Sequence, residues 1–278
     1  MNGNPHLLTP IFHEKIWGTE DIAPWFSSQG KKIGEVWLQS LERTLPILVK
    51  FIFTADKLSV QVHPDDNYAM THGVSAGKSE MWHVLRAAPG ANIAVGLKHF
   101  VSRALLRQAA LSGEIETMLN WLPVKPGDTI MVHAGTIHAI GAGVALCEIQ
   151  QSSDVTYRLY DYGRPRELHL DKALEVVHPG PHPGISMPVA LSAEEFRLAA
   201  CKHFVTELLQ VDKAFTYFPD PARLHILIAM DGKGSFAGKP FTPGMAWAID
   251  PGEKAHSLQP QGICRLLRTY LPHASHPK

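Results

Sequence analysis

The sequence predicts a mainly β protein, a jelly-roll barrel with a few helices, and three observations support this fold class. Prolines and glycines are frequent: the chain of 278 residues has 21 and 22 of them, more than a helical bundle tolerates. Short apolar or alternating runs recur along the whole chain. Most of these runs have Gly, Pro, Asp or Lys near an end, as strands joined by tight turns do.

The first part of the chain contains several runs that we interpret as strands. They are Glu35–Gln39, Ile47–Phe53, Leu58–His63, Met81–Arg86, Ile93–Gly96, Thr129–Val132, Val144–Gln150 and Tyr157–Tyr160. Two segments among and after them are predicted to be helical. Ser102 can cap a helix over Ser102–Leu119, where apolar residues recur near helical spacing, and a shorter helix is predicted over Lys172–Val177.

A proline-rich segment, His178–Gly184, is incompatible with a helix. It marks a predicted boundary between a larger first domain, residues 1–184, with its helical insertion around residues 102–119, and a smaller second domain, residues 185–278. More strands are predicted in the second domain, over Phe196–Ala200, Phe204–Val211, Leu224–Met230, Gly234–Phe236, Met245–Ile249 and Cys264–Tyr270. Many short strands with few helices are typical of jelly-roll or cupin barrels.

Composition argues against several classes of partner. The formal net charge is zero, so nothing favours nucleic acid or an anionic membrane, and an anionic ligand must be bound by a local cluster of Arg and Lys. The three cysteines are widely spaced and form no CxxC pair, which argues against a disulfide framework and a thiolate zinc site. With no signal-like N-terminus and no membrane-spanning apolar run, we expect a cytoplasmic protein.

The strongest local signal is the segment Gly127–His138, in which a glycine turn starts a strand and Ala-Gly turns the chain before a histidine. This frame resembles the second cupin motif, in which the final histidine, here His138, binds a metal inside the barrel. Gln61 and His63 share one face of an earlier strand because side chains alternate along it. Together with Glu80 and His138, these two residues offer two imidazoles, one carboxylate and one amide, a set that suits a catalytic zinc site.

A second polar cluster follows in Glu148–Arg164, which is unusually rich in polar groups for a pair of strands. Arg158 can supply a forked positive charge to a phosphate or to a developing enediolate oxygen, and Lys78 brings a second cation close to Glu80. Ser59 shares the strand face of Gln61 and is a further candidate for substrate binding. Three candidates remain for the proton-transferring base: Lys78, a metal-bound water and a histidine at the rim.

These motifs, in this order, resemble those of the type I mannose-6-phosphate isomerases, in their short bacterial form. The matching strings are Leu58–Asp66, Gly77–Trp82, Ala134–Ala139 and Glu148–Asp161, and the resemblance spans most of residues 7–178. It implies a catalytic cupin barrel followed by a second cupin-like barrel, and one zinc ion per chain. It also implies interconversion of mannose 6-phosphate and fructose 6-phosphate.

The resemblance assigns roles residue by residue. Gln61, His63, Glu80 and His138 match the family's zinc ligands, Arg158 its catalytic arginine, and Lys78 a lysine that handles substrate. The chain departs from the family at His133, where proline is usual, and at His83, where tyrosine is frequent, and both changes are expected to alter the cavity rim.

The second domain is expected to resemble a cupin without its metal. Gly244–Gly252 echoes the glycine-strand-turn frame, but no Gln-x-His or His-x-His strand accompanies it. His225 and His256 are therefore assigned to strand or surface roles.

Two other functions fit part of the pattern. The ligand types of His63, Glu80 and His138 are also those of a non-haem iron oxygenase, although Gln61, Lys78 and Arg158 fit sugar-phosphate chemistry better. A non-catalytic sugar-phosphate-binding cupin is the second alternative, and the intact ligand set argues against it. The expected partner is a small-molecule sugar phosphate, and the expected assembly is a monomer or a homodimer.

Overall fold

The computed structural model describes residues 4–272 and is mainly β, as the sequence predicts. Residues 273–278 of the second predicted domain, and residues 1–3 of the first, lie outside the described residues. Within the described part, no helix is both long and apolar enough to cross a membrane.

All four helices of the described residues lie in the first half of the chain, before residue 184. Its elements are β1 (His6–Leu7), β2 (Thr9–Thr19), β3 (Ile33–Gln39), β4 (Ile47–Phe53), β5 (Val60–Val62), α1 (Asp66–Thr71), β6 (Glu80–Ala87), β7 (Asn92–Leu97), α2 (Arg103–Ser112), α3 (Ile115–Met118), β8 (Leu119–Pro123), β9 (Thr129–Val132), β10 (His138–Ile140), β11 (Val144–Gln151), β12 (Tyr157–Tyr160) and α4 (Leu170–Val176). The second half contains β13 (Val189–Ala190), β14 (Glu195–Ala200), β15 (Val205–Val211), β16 (Phe215–Tyr217), β17 (His225–Asp231), β18 (Gly234–Phe236), β19 (Lys239–Phe241), β20 (Ala246–Ile249), β21 (His256–Pro260) and β22 (Cys264–Tyr270).

These strands form four sheets that pack as four layers. A five-stranded sheet, β12-β5-β10-β7-β8, packs on a six-stranded sheet, β2-β3-β4-β11-β6-β9, through a core that includes Ile93 and Leu146. The other face of the six-stranded sheet packs on a seven-stranded sheet, β1-β20-β17-β22-β15-β14-β13, around Phe51 and Ile228. A four-stranded sheet, β16-β21-β18-β19, covers the outer face of that sheet around Phe236.

The middle position of the six-stranded sheet explains the sequences of its central strands. Every residue of β4 and of β11 is buried, because both faces of the sheet are covered. On β4, Val49 and Phe51 face the seven-stranded sheet, whereas Ile52 faces the five-stranded sheet. Lys50 lies on the same side of the strand as Ile52, so a buried ammonium enters the space between the six- and five-stranded sheets.

The predicted helix over residues 102–119 is wrong in one respect, since the structure has two helices there. Ser102 caps α2 as predicted, accepting a hydrogen bond from the backbone N–H of Leu105. Gly113 then adopts a left-handed conformation with φ of 84°, which ends α2 before α3 begins. A Cβ at this position would lie 2.9 Å from the hydroxyl oxygen of Tyr160, so glycine also provides space here.

Most predicted strands agree with the structure to within two residues at each end, but several real strands were not predicted. The longest is β2, at the edge of its sheet, whose first eight residues alternate between partly buried and exposed positions before the buried Trp17 and Gly18. The proposed domain boundary at Gly184 falls between α4 and β13, in a stretch that forms isolated bridges only. Across that boundary, β1 of the first half pairs with β20 of the second.

Candidate metal and substrate site

Strand pairing brings the proposed ligands together. Gln61 lies at the centre of β5, and the antiparallel register places it opposite His138, the first residue of β10. His63 follows directly after β5. Glu80 is the first residue of β6 in the six-stranded sheet, so it reaches the group from the opposite layer. Three distant stretches of sequence therefore converge between two sheets.

The three ionisable ligands form a compact and fully enclosed group. His63 Nε2 lies 3.5 Å from Glu80 Oε2, and His138 Nε2 lies 3.5 Å from Glu80 Oε1. The side chains of Glu80 and His138 are 0% exposed, and that of His63 is 1% exposed. Within residues 4–272, these three residues form a group of His, Cys, Asp or Glu side chains whose ligand atoms lie close enough together to hold one metal ion.

Backbone carbonyls orient both imidazoles. His63 Nδ1 donates a hydrogen bond to the carbonyl oxygen of Val155 over 2.7 Å, and His138 Nδ1 donates to that of Thr136 over 2.8 Å. Because a carbonyl can only accept, the proton of each neutral ring lies on Nδ1 and the lone pair on Nε2. Burial lowers the pKa of His138 to about 4 and that of His63 well below its usual value, so both rings are neutral near pH 7. Carbonyl-oriented neutral imidazoles of this kind are typical of metal ligands.

The donor chemistry of the group fits a divalent cation. Neither oxygen of Glu80 accepts a hydrogen bond of good geometry from the described residues. The ammonium of Lys78, 2.8 Å from Glu80 Oε2, offsets part of the cost of burying this carboxylate. Both carboxylate oxygens nevertheless lie 3.5 Å from imidazole Nε2 atoms, which are also acceptors. A cation at the centre would convert these acceptor–acceptor contacts into coordination bonds.

Gln61 and Lys78 supply the N–H donors that meet those lone pairs. Gln61 Nε2 lies 3.2 Å from His138 Nε2, while Gln61 Oε1 accepts a hydrogen bond of 3.3 Å from Ser59 Oγ. Half a turn of the amide would present Oε1 to the other ligands. Lys78 Nζ lies 3.1 Å from His63 Nε2 and 2.8 Å from Glu80 Oε2.

The ammonium of Lys78 is buried but well compensated. Burial alone would lower the pKa of Lys78, but the carboxylates of Glu80 and Glu148 outweigh it and raise the pKa above its usual value. Lys78 Nζ is 4.0 Å from Glu148 Oε1. Lys78 is therefore a fixed positive charge at the edge of the candidate metal group.

Sequence reasoning missed Glu148 and Lys50 as individual site residues. Glu148 Oε2 accepts a hydrogen bond of 2.9 Å from Trp82 Nε1, and Glu148 Oε1 lies 3.6 Å from Lys50 Nζ. Burial and the neighbouring Glu80 raise the pKa of Glu148. A signal for Lys50 was present, since a lysine in the middle of an apolar strand must enter a polar space if the strand is buried on both faces.

A cavity of about 220 Å³ opens beside the ligand group. Its walls include Ser59, Gln61, Lys78 and Arg158, all proposed from the sequence, and also Lys15, Glu35, Lys50, Glu148 and Arg166. Arg158 reaches it because β12 pairs with β5, which sets Arg158 opposite Gln61. Arg158 Nη1 donates to the carbonyl of Glu167, but its buried Nε has no hydrogen-bond partner among the described residues. The arrangement can therefore bind an anion next to the candidate metal group.

The two departures from the family pattern lie away from this cavity. His133 is exposed in the turn after β9 and is not part of its lining. His83 is buried on the opposite face of β6 from Glu80, where its Nδ1 contacts Thr129 Oγ1 at 2.9 Å. The expectation that His83 shapes the rim of the metal-side cavity is therefore wrong, because strand alternation turns its side chain toward the seven-stranded sheet.

In the second half, both histidines have structural partners. His225 is buried in β17, where its Nδ1 lies 2.8 Å from the hydroxyl of Tyr217 and its Nε2 accepts from the backbone N–H of Asp220. His256 Nε2 lies 3.0 Å from a carboxylate oxygen of Glu253. The strand role expected for His225 agrees with these contacts.

The chain is similar in sequence to known mannose-6-phosphate isomerases. No family model matches the chain. The mannose-6-phosphate isomerase of Streptococcus mutans is 41% identical over 58% of this chain, but the match spans only about half, 52%, of that relative. A mannose-6-phosphate isomerase of Bacillus subtilis is 34% identical over 64% of this chain and 69% of its own length.

The fold agrees over a longer stretch than the sequence. The crystal structure of a mannose 6-phosphate isomerase from Bacillus subtilis superposes with a TM-score of 0.87 at 26% identity, covering 96% of this chain and 99% of that one. Sequence and fold point to the same group of proteins. The chain belongs to the mannose-6-phosphate isomerase family.

Proposed function

We propose that this chain is a zinc-dependent aldose–ketose isomerase that interconverts mannose 6-phosphate and fructose 6-phosphate through an enediolate. The observation that carries the proposal is a buried carboxylate, Glu80, whose oxygens face two imidazole lone pairs beside a cavity lined with cations. Two relatives, from Streptococcus mutans and Bacillus subtilis, are named as mannose-6-phosphate isomerases, and this supports the choice of substrate.

The donor set supports zinc as the metal. His63 and His138 would bind it through Nε2, Glu80 through its carboxylate and Gln61 through Oε1 after the amide turns, leaving room for substrate oxygens. When bound, zinc supplies a Lewis acid without redox chemistry for the two oxygens whose roles exchange. The alternative function, a non-haem iron oxygenase, would need neither the amide of Gln61 as a ligand nor the lysine and arginine side chains that line the cavity.

The remaining wall residues divide the other tasks. The guanidinium of Arg158, whose Nε has no hydrogen-bond partner within residues 4–272, binds the phosphate or the negative charge that develops on substrate oxygens. Ser59 holds the Gln61 amide and reaches the same cavity. Glu148 Oε1 is the wall group that would accept and return the proton between the adjacent carbons, while Lys78 stays protonated and stabilises the negative charge that develops. Burial keeps bulk water from competing.

The test is a coupled assay of fructose 6-phosphate formation from mannose 6-phosphate, run with metal analysis of the purified protein. We expect about one zinc per chain, loss of turnover after chelation, and recovery on adding zinc. A pentose phosphate and unphosphorylated mannose serve as matched substrates, and we expect mannose 6-phosphate to be turned over fastest. Tightly held iron with oxygen-dependent turnover would contradict the proposal, as would zinc-loaded protein that binds the sugar phosphate without converting it.

A further inference from the structure

A second cavity, away from the metal group, lies between the six-stranded and seven-stranded sheets. Its volume is about 700 Å³, against about 220 Å³ for the metal-side cavity. One side is formed by β6 and the turn before β9, and the other by β14, β15 and the ends of β17 and β22. Cavities of this size between packed layers are common sites for small ligands.

The body of this cavity is apolar. Trp25, Leu85, Phe196 and Leu208 line it, and each is only partly buried although each also packs against the large core between the two sheets. Part of each side chain therefore faces the cavity. Ligand atoms that replaced water along this wall would gain the free energy of burying apolar surface on both partners.

One buried polar side chain faces this apolar space. The side chain of His83 is only 6% exposed, lines the cavity, and contacts Thr129 Oγ1 through Nδ1. Among the described residues the ring has a hydrogen-bond partner at Nδ1 and none at Nε2. Burial lowers the pKa of His83 to about 4, so the ring is neutral near pH 7 and Nε2 can form one hydrogen bond with a ligand.

The charges on the wall cancel. Arg265 Nη1 lies 3.0 Å from Asp231 Oδ2, and both side chains are about half exposed where β17 and β22 meet the cavity. A neutral imidazole and a closed ion pair attract neither an anion nor a cation strongly. The complementary ligand is therefore uncharged.

We propose that this cavity binds an uncharged, largely apolar small molecule whose single hydrogen-bonding group meets His83 Nε2. The site lies on the reverse side of β6, the strand that begins with Glu80, so it is separate from the metal-side cavity. The proposal does not depend on the isomerase activity.

The probe for the test is N-phenyl-1-naphthylamine, an uncharged amine with one N–H that fluoresces more strongly in apolar surroundings. We expect a saturable fluorescence increase with one probe per chain. We also expect no displacement by mannose 6-phosphate, which would act only on a probe in the metal-side cavity.

Two variants locate the probe. Ala190→Trp should weaken binding at least 10-fold, because Ala190 lines the cavity from the exposed edge strand β13 and the indole would fill it without removing a core side chain. His83→Leu should weaken binding about 3- to 10-fold, the effect of one lost hydrogen bond. Leu111→Arg, at an exposed position on α2, is the matched control and should leave binding unchanged.

Thermal melting followed by circular dichroism would identify a variant that fails to fold. If His83→Leu fails to fold, the affinity of Ala190→Trp for the probe still tests the proposal. A linear, unsaturable fluorescence increase, displacement by mannose 6-phosphate, or unchanged affinity in folded Ala190→Trp would each overturn the proposal.

Discussion

Each half of the molecule buries a glutamate between packed sheets, but the two carboxylates have opposite surroundings. Glu207 in the second half accepts hydrogen bonds from Arg268 Nε at 3.0 Å and from the Tyr270 hydroxyl at 3.0 Å. Glu80 in the first half accepts none of good geometry from the described residues; its oxygens lie 3.5 Å from two imidazole Nε2 atoms, and the ammonium of Lys78 lies 2.8 Å from Oε2. The carboxylate of Glu207 is satisfied by directed hydrogen bonds, whereas the carboxylate of Glu80 and two imidazole Nε2 atoms, all acceptors, lie close together with one ammonium at their edge.

The histidines repeat this difference. His225 has a partner at each ring nitrogen, the Tyr217 hydroxyl and the backbone N–H of Asp220. His63 and His138 are held at Nδ1 by carbonyls, and their Nε2 atoms converge on Glu80. The comparison teaches that a buried cluster of matched donors and acceptors is complete by itself, whereas converging acceptors indicate a bound cation.

The largest expected effect comes from exchanging the two glutamates for glutamine. Glu80→Gln should remove most of the bound zinc and lower kcat by about 10³-fold or more, since a Lewis acid contributes several kcal/mol to the barrier. Glu207→Gln should keep zinc and turnover but lower the free energy of unfolding by about 1.5–3 kcal/mol, because it removes the charged hydrogen bond to Arg268 and leaves Glu195, 3.5 Å away, as the remaining carboxylate partner among the described residues. Metal analysis, the coupled assay and denaturant unfolding measure the three quantities. Retained zinc in Glu80→Gln would show that the comparison is wrong.

Arg158→Ala should have the next largest effect. Loss of a charge-stabilising donor is expected to lower kcat by about 10²- to 10³-fold while the zinc content stays unchanged. Arg223→Ala is the control, since Arg223 stacks on Tyr270 in the second half and should not alter kcat. The coupled assay with metal analysis measures both effects, and normal turnover in Arg158→Ala would assign Arg158 a structural role.

The buried His225 should make the free energy of unfolding depend on pH. Burial and the nearby Arg268 lower the pKa of His225 from 6.5 to about 4, so the unfolded chain binds this proton more tightly than the folded chain. The stability that depends on neutral His225 is then complete above pH 6.5 and is lost as the pH falls toward 4, by about 3 kcal/mol.

His225→Gln tests this because glutamine keeps a donor and an acceptor but does not titrate. Denaturant unfolding at pH 7 and pH 4 should show a smaller loss of stability in the variant than in the unaltered protein. Equal losses would exclude His225 as the source.

Of these substitutions, Trp82→Phe should have the smallest effect on the candidate metal site. It removes the indole donor 2.9 Å from Glu148 but keeps an aromatic ring beside His138, whose ring centre lies 5.3 Å away. We expect kcat to fall about 10- to 100-fold, with KM and zinc content unchanged, because a hydrogen bond to a charged group is worth about 1.5–3 kcal/mol. Trp247→Phe, a buried tryptophan of the second half, is the matched control. A change in zinc content rather than kcat would assign Trp82 to metal binding.

The proposed ligands could be found from the sequence because short motifs carry them, and strand alternation then sets Gln61 and His63 on one face. Their orientation could not be found this way, because the groups that fix the imidazoles are the carbonyls of Val155 and Thr136, which every residue possesses. Lys50 and Glu148 were missed because their pairing depends on which strands become neighbours, here β4 and β11. The same limit applies to the break in the helix at Gly113, which depends on the contact with Tyr160.

The pairing of β1 with β20 has a consequence for any attempt to divide this chain. His6 and Leu7 lie beside Ala248 and Trp247, and Leu8 donates its backbone N–H to Ala246. A fragment that stops at residue 184 would carry this short strand away from the sheet it completes, and the complementary fragment would expose the β20 edge to other chains. The two pieces would have to be produced together, so that each could find the other before it aggregated.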